Sequence, residues 1–275
     1  MVEPGGGVNR CWRKPSGGAA LIGAETTLRS VRDDADLAGP PSVGRVVTLA
    51  RHVGLGDTRP DGRLRLDALA RFVQDVADHD AATADVGGAG VWVLRRSSFR
   101  VLRTPRFRAD LTLRTWCSGV GARWAERRTD VEVGGRRAVG AVGLWVYVDR
   151  ERGVPVGLPD GFHERWGVSA GGRRVRARLV HPPPPASAVR ARWPLRAVDL
   201  DVLGHVNNAA YWAAAEEELA RRGGPVVTRA EIEFRAGLDA GDEVEMLTAD
   251  TESGFACWLC VGGEVRASVL VGCDR

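Results

Sequence analysis

A chain of 275 residues with 44% hydrophobic residues carries enough apolar material for one large core or two ordinary ones. No apolar run reaches membrane-spanning length, the N-terminus lacks a positive-then-apolar leader, and five scattered cysteines (Cys11, Cys117, Cys257, Cys260, Cys273) imply no disulfide framework, so a cytoplasmic protein is expected. The net charge is +4, yet Lys14 is the only lysine among 39 basic residues, and the arginines are interleaved with Asp and Glu instead of clustered with aromatics, which argues against nucleic-acid binding.

Residues 1–44 hold Gly5-Gly6-Gly7, Gly17-Gly18 and Pro40-Pro41 without a sustained period and read as a disordered extension. A truncation starting near Gly44 is expected to keep activity. Order is expected from residue 45, with a β-branched strand over 45–51 and a turn at Asp57-Thr58-Arg59-Pro60-Asp61-Gly62. Leu64, Leu66, Leu69, Phe72, Val73 and Val76 then share one helical face up to Gly87-Gly88. Strands follow over 91–103, 109–120, 123–133 and 137–149, with Gly134-Gly135 as a hairpin turn.

Residues 151–188, with Pro155, Pro159, Gly171-Gly172 and the run His181-Pro182-Pro183-Pro184-Pro185, read as a stiff connector in which His181 is solvated. The element order then repeats. A strand over 189–198 meets a polar turn at 199–208, a helix runs from about 206 to 222, and strands cover 226–235, 243–251, 255–261 and 265–273, with Gly262-Gly263 as the matching hairpin. The expected fold class is α+β, with a first domain over 45–150, a linker over 151–188 and a second domain over 189–275.

Placing Gly62 on Gly204 puts Asp57 on Asp199, Arg59 on Asp201 and Arg63 on His205, while Arg65 and Leu66 replace Asn207 and Asn208. Both copies keep the turn, and one copy alone keeps the carboxylate, glycine, histidine and asparagines. Asp and Asn also cap helices in any protein. A cap does not require Gly204-His205 between them, so the second turn is the candidate site.

The motif Asp-x-Asp-x-x-Gly-His-Val-Asn-Asn-x-x-Tyr over Asp199 to Tyr211, with Glu217 further on, resembles the signature of hot-dog acyl-thioesterases and, more closely, the acyl-ACP thioesterase family. The resemblance extends over about 45–275 and includes Asp61-Gly62-Arg63, Val91-Trp92-Val93-Leu94 and Leu144-Trp145-Val146-Tyr147. It implies two tandem hot-dog domains, each an antiparallel sheet wrapped around a central helix, the first catalytically degenerate and lining most of the acyl pocket. It also implies hydrolysis of a fatty acyl thioester carried on acyl carrier protein, in a monomer or homodimer, with no cofactor, metal, nucleic-acid or membrane partner. Asp201 is the implied catalytic carboxylate, as nucleophile or as general base. Gly204, with His205 and Val206, would place backbone N–H groups near the helix start for the developing oxyanion, His205 would orient the carboxylate or donate to the thioester, and Asn207 and Asn208 would fix the turn and helix start. Asn208, Asp199 and Glu217 are supporting residues. An acyl-CoA thioesterase and a non-catalytic acyl-binding module are the alternatives.

Two positions depart from the plant members: Leu203 stands where they have asparagine, and Gly237 where they have an acid. Glu231 and Glu233 share one strand face and are expected on a solvent-facing edge, with replacement of the acid absent at Gly237 as the alternative, and Glu216-Glu217-Glu218 is expected on a solvated helix face. Cys257 and Cys260 are expected to be core thiols, since no second Cys or His pair accompanies them. His52, His79 and His163 have no local partners that raise them above ordinary residues, and the nine tryptophans are expected in the core and pocket walls.

Overall fold

The computed structural model describes residues 39–84 and 86–274; residues 1–38, most of the expected extension, lie outside the described residues. Gly44, at φ +98°, already packs its backbone against Ser169, and Ser169 Oγ donates to the Arg45 carbonyl at 2.9 Å.

The first half contains β1 (Val47–His52), α1 (Leu66–Ala84), β2 (Gly90–Val101), β3 (Asp110–Val120), β4 (Trp124–Val133) and β5 (Arg136–Asp149). After a short helix α2 (Phe162–Arg165), the second half contains β6 (Val189–Trp193), α3 (Trp212–Arg221), β7 (Val227–Phe234), β8 (Val244–Thr251), β9 (Gly254–Val261) and β10 (Glu264–Cys273). All ten strands join one sheet in the order β1-β3-β4-β5-β2-β7-β10-β9-β8-β6. Read from the centre outward, both halves have the same order.

The duplication extends to register. Val133 pairs with Arg136 as Val261 pairs with Glu264, and each hairpin then bulges before the pairs Val131–Val139 and Leu259–Ala267. β2 and β7 meet antiparallel at the centre, where Ser98 lies opposite Glu231. Val47 opposite Thr115 matches Val189 opposite Thr248 at the two outer edges.

Alternation along each strand sends one set of side chains towards the helices. Ala230, Ile232 and Phe234 of β7 join Phe99, Leu113, Val131, Phe255, Cys257 and Val269 in one core with Leu66, Leu69, Phe72 and Val76 of α1 and Trp212, Ala215 and Leu219 of α3. Each large side chain buried there stabilises the fold by about 1.5–3 kcal/mol. Burial pushes the Cys257 thiol up, as expected of a core cysteine.

Glu231 and Glu233 point to the opposite face, but that face is not open to solvent at the centre. β7 lies between β2 and β10, and the proline-rich segment crosses over it. Trp124 Nε1 donates to the Val175 carbonyl, Arg96 Nη1 to that of Arg178, Arg235 Nη2 to that of His181 and Trp258 Nε1 to that of Pro182. The strap buries Glu231, Glu233 and His181 to 2%, 0% and 4% exposure, which corrects the expected solvent-facing edge and solvated histidine. Prolines need no strand partner for their missing N–H, so such a segment can lie across a sheet. Earlier in the same connector, Phe162, Trp166 and Ala170 pack on Cys117, Val120 and Ala125.

Candidate functional site

The polar turn is entered through β6 and a single 3-10 turn over Ala197–Asp199. Asp199 is buried, and its carboxylate accepts the Arg196 backbone N–H at 2.8 Å and guanidinium Nη2 at 2.7 Å. It therefore closes the turn. Asp201 N–H donates to the His205 carbonyl at 2.9 Å and Gly204 N–H to the Asp201 carbonyl at 3.0 Å. Gly204 has φ +77°, a left-handed conformation that costs glycine least. The half-buried Asp201 carboxylate is steadied by the Leu203 N–H on Oδ1 at 2.9 Å.

His205 Nδ1 lies 2.7 Å from Asp239 Oδ1. A carboxylate only accepts, so Nδ1 carries the proton and Nε2 is left for a ligand. Asp239 follows β7 in a loop set from two sides: Leu238 N–H donates to the Tyr211 hydroxyl at 2.7 Å, and Asp239 N–H to Asp242 Oδ2 at 2.9 Å. Burial pushes the Tyr211 phenol up, so it stays a neutral clamp. A carboxylate therefore meets His205 from the position two residues after Gly237. Nothing local in the sequence distinguishes Asp239 from an ordinary turn aspartate.

The helix begins at Trp212, not near Val206, because tight turns link Asn207 O to Ala210 N and Ala209 O to Trp212 N. Gly204 N–H is used within the turn, and Val206 N–H donates to the Leu238 carbonyl at 3.0 Å. Neither is placed to serve an oxyanion, which corrects that part of the expectation. Asn207 Oδ1 accepts the Ala209 N–H at 2.9 Å and fixes the helix entry. Glu217 is exposed, whereas Glu216 and Glu218 are buried, against the expected solvated face.

The first-half turn repeats this backbone bond for bond: Arg59 N to Arg63 O, Gly62 N to Arg59 O, Arg65 N to Asp57 O and Leu64 N to Pro105 O. Its side chains do something else. Glu216 of α3 takes a two-pronged ion pair from Arg59, at 2.8 and 3.1 Å, and accepts the Leu66 N–H at the start of α1. The repeat places Gln74 of α1 where α3 has Glu216, and Asn208 where α1 has Leu66. Gln74 and Asn208 accordingly line one cavity of about 30 Å³, together with Val73, Ser97, Arg127 and Trp145. The signal for Gln74 in the sequence is the repeat itself, which continues from the turn along the helix.

Among the described residues, His181, Glu231 and Glu233 form the one group with metal-like spacing. Their ligand atoms are already engaged. His181 Nε2 meets Glu231 at 3.0 Å and Nδ1 meets Ser268 Oγ at 2.9 Å, while Glu233 accepts the N–H groups of Val180 and His181. The group is a clasp for the strap.

A large antiparallel sheet with few helices matches the hot-dog thioesterases. The chain belongs to the acyl-ACP thioesterase family, matching its N-terminal domain over residues 48–166 and its C-terminal domain over 184–262. An uncharacterized protein of Mycobacterium tuberculosis is 29% identical over 86% of this chain and 97% of its own length. Among solved structures, the 12:0-ACP thioesterase from Umbellularia californica is similar at a TM-score of 0.73 and 18% identity, over 83% of this chain and 97% of that one. An acyl-ACP thioesterase from Bacteroides thetaiotaomicron is similar at 0.69 and 18%, over 83% and 98%. No helix among the described residues is long and apolar enough to cross a membrane.

Proposed function

We propose that the chain hydrolyses acyl thioesters carried on acyl carrier protein, with Asp201 as the reacting carboxylate and His205 oriented by Asp239. The observation that carries this reading is the His205–Asp239 contact in the turn that holds Asp201, which offers an acid near the place where plant members carry one and this chain has Gly237. Each half is read as one hot-dog unit built around its helix, with boundaries at 45–150 and 189–275 joined by residues 151–188. The second unit supplies Asp201, Gly204, His205 and Asn207, and the first closes the cavity with Gln74.

In the reaction, Asp201 either attacks the carbonyl carbon, forming a mixed anhydride as the carrier thiolate leaves, or takes a proton from the water that attacks. His205 Nε2 is the group available to donate a proton or hydrogen bond to the thioester, with its ring held by Asp239. Asn208, at the cavity wall, is the candidate donor for the carbonyl oxygen. Single turnover in isotopically labelled water identifies attack by Asp201 when water opens the anhydride at the aspartyl carbonyl, since the label then enters the Asp201 carboxylate, which base catalysis leaves unlabelled.

The test is thiol release from the same acyl group on acyl carrier protein and on coenzyme A. An acidic carrier meeting an arginine-rich chain should give the higher kcat/KM at low salt and lose it as salt rises. Equal or better turnover of the coenzyme A ester removes the carrier assignment and leaves the hydrolase. No release from either carrier removes the hydrolase.

A further inference from the structure

The cavity between Asn208 and the first-half sheet is small, with a mainly apolar lining broken by a few polar side chains. Its volume of about 30 Å³ is the share of roughly one water molecule, and its walls include Gln74, Ser97, Arg127 and Thr129. Sheet register shows how it is built. Arg127 lies beside Gly143, and Gly143 beside Ser97, on the face turned towards α1. The duplicate positions in the second half are Phe255, Val271 and Ala230, also neighbours across the sheet and all fully buried. One half fills this space with hydrocarbon. The other replaces it with a glycine, a serine and a guanidinium.

Arg127 is held from behind. Its Nη1 meets Asp80 Oδ2 at 2.5 Å and donates to Thr115 Oγ1 at 3.4 Å. Asp80 is 1% exposed and also accepts from Arg45 Nε and Trp166 Nε1. One carboxylate therefore serves two guanidinium groups. Arg127 has five N–H donors, more than Asp80 and Thr115 take up. A guanidinium beside a cavity at the helix–sheet interface repels a hydrocarbon tail and favours an oxygen acceptor.

We propose that the acyl pocket of this chain selects a short acyl group whose far end bears an oxygen acceptor (hydroxyl, keto or carboxylate), received by Arg127. The proposal rests on the thioesterase reading and narrows its substrate. A long saturated tail would have to displace Trp145 and Arg127 and strip Asp80 of a partner.

The experiment uses the full chain with butyryl, γ-hydroxybutyryl, succinyl, octanoyl and palmitoyl thioesters on both carriers. Binding of the corresponding non-hydrolysable coenzyme A thioethers is read in parallel from tryptophan fluorescence, since Trp145 and Trp212 line the cavity. The γ-hydroxybutyryl or succinyl ester should exceed palmitoyl in kcat/KM on the order of 100-fold, because a site built around a hydrogen bond rejects a ligand that lacks it. Octanoyl or palmitoyl ranking first in turnover or binding overturns the proposal. If no ester is hydrolysed but the thioethers keep the polar ranking, the pocket assignment stands and the hydrolase reading falls. The paired change Asp80→Asn with Arg127→Leu keeps the charge balance and should erase the preference for succinyl over butyryl. An undiminished preference in that variant, shown folded by circular dichroism, overturns the role of Arg127; if the variant fails to fold, Arg127→Lys, which keeps the charge but loses the planar fork, should weaken the same preference about tenfold.

Discussion

The turns around Gly62 and Gly204 make the same four backbone hydrogen bonds and use their side chains for opposite ends. In the first, Arg59 reaches Glu216 of α3, Arg63 Nη1 donates to the Gly224 carbonyl at 2.8 Å, and the start of α1 is capped from the other half. In the second, Asp201, His205 and Asn208 stand at the matched places, and Gln74 and Asn208, the counterparts of Glu216 and Leu66, line a cavity. The difference fits a duplicated scaffold that divides its work: one copy rivets the halves together, and in the proposed function the other uses the same backbone for chemistry. The sheet beneath repeats the division, with Phe255, Val271 and Ala230 packed solid under one helix and Arg127, Gly143 and Ser97 left open under the other.

Matched substitutions break or sharpen this comparison. Asp201→Asn should lower kcat/KM by about 1,000-fold or more, on the order of 4 kcal/mol of transition-state stabilisation, with the melting temperature unchanged. Arg59→Gln in the matched turn should do the reverse, lowering the melting temperature while activity at low temperature survives. Equal losses of activity from the two would erase the distinction between rivet and reaction centre. Next in size is Phe255→Ala, which empties the packed half and should cost about 3–4 kcal/mol in denaturant unfolding. Asp239→Asn keeps the shape but weakens the hold on His205 Nδ1, and kcat should fall by about 10- to 100-fold with KM little changed. Restoring a carboxylate with Asp239→Glu should recover part of it, whereas a purely structural role would show as lost stability instead. The smallest effect on stability belongs to Gly143→Val, which copies Val271 into the open half. A Cβ at residue 143 sits 2.8 Å from the Trp145 indole nitrogen, so the ring must shift into the cavity. Stability should change by about 1–2 kcal/mol, while turnover falls because the acyl space is filled.

Much of this was legible in the residues. Alternation and glycine pairs located nine strands to within two positions, because a buried face imposes a period that local sequence must carry, and β6 ends five residues before its expected bound. The duplicated turn was legible for the same reason: Gly62 and Gly204, at φ +80° and +77°, meet the same backbone demand. The start of α3 was not, because the tight turns from Asn207 depend on where the Leu238 carbonyl and the Tyr211 hydroxyl lie. Nor was the burial of Glu216, Glu231 and Glu233, since a carboxylate's cost depends on partners 50 to 157 residues away in the chain.

The sequence by itself determined the repeat, the strand faces and the turn that holds Asp201, Gly204 and His205, all features set by spacing within a few residues. Tertiary structure alone decided which acid holds His205, that His181 lies beneath a strap, and that Gln74 and Arg127 share a cavity with Asn208. Those outcomes follow from pairing β2 with β7 and laying two helices on one face. Contacts between segments so far apart leave no period in the chain.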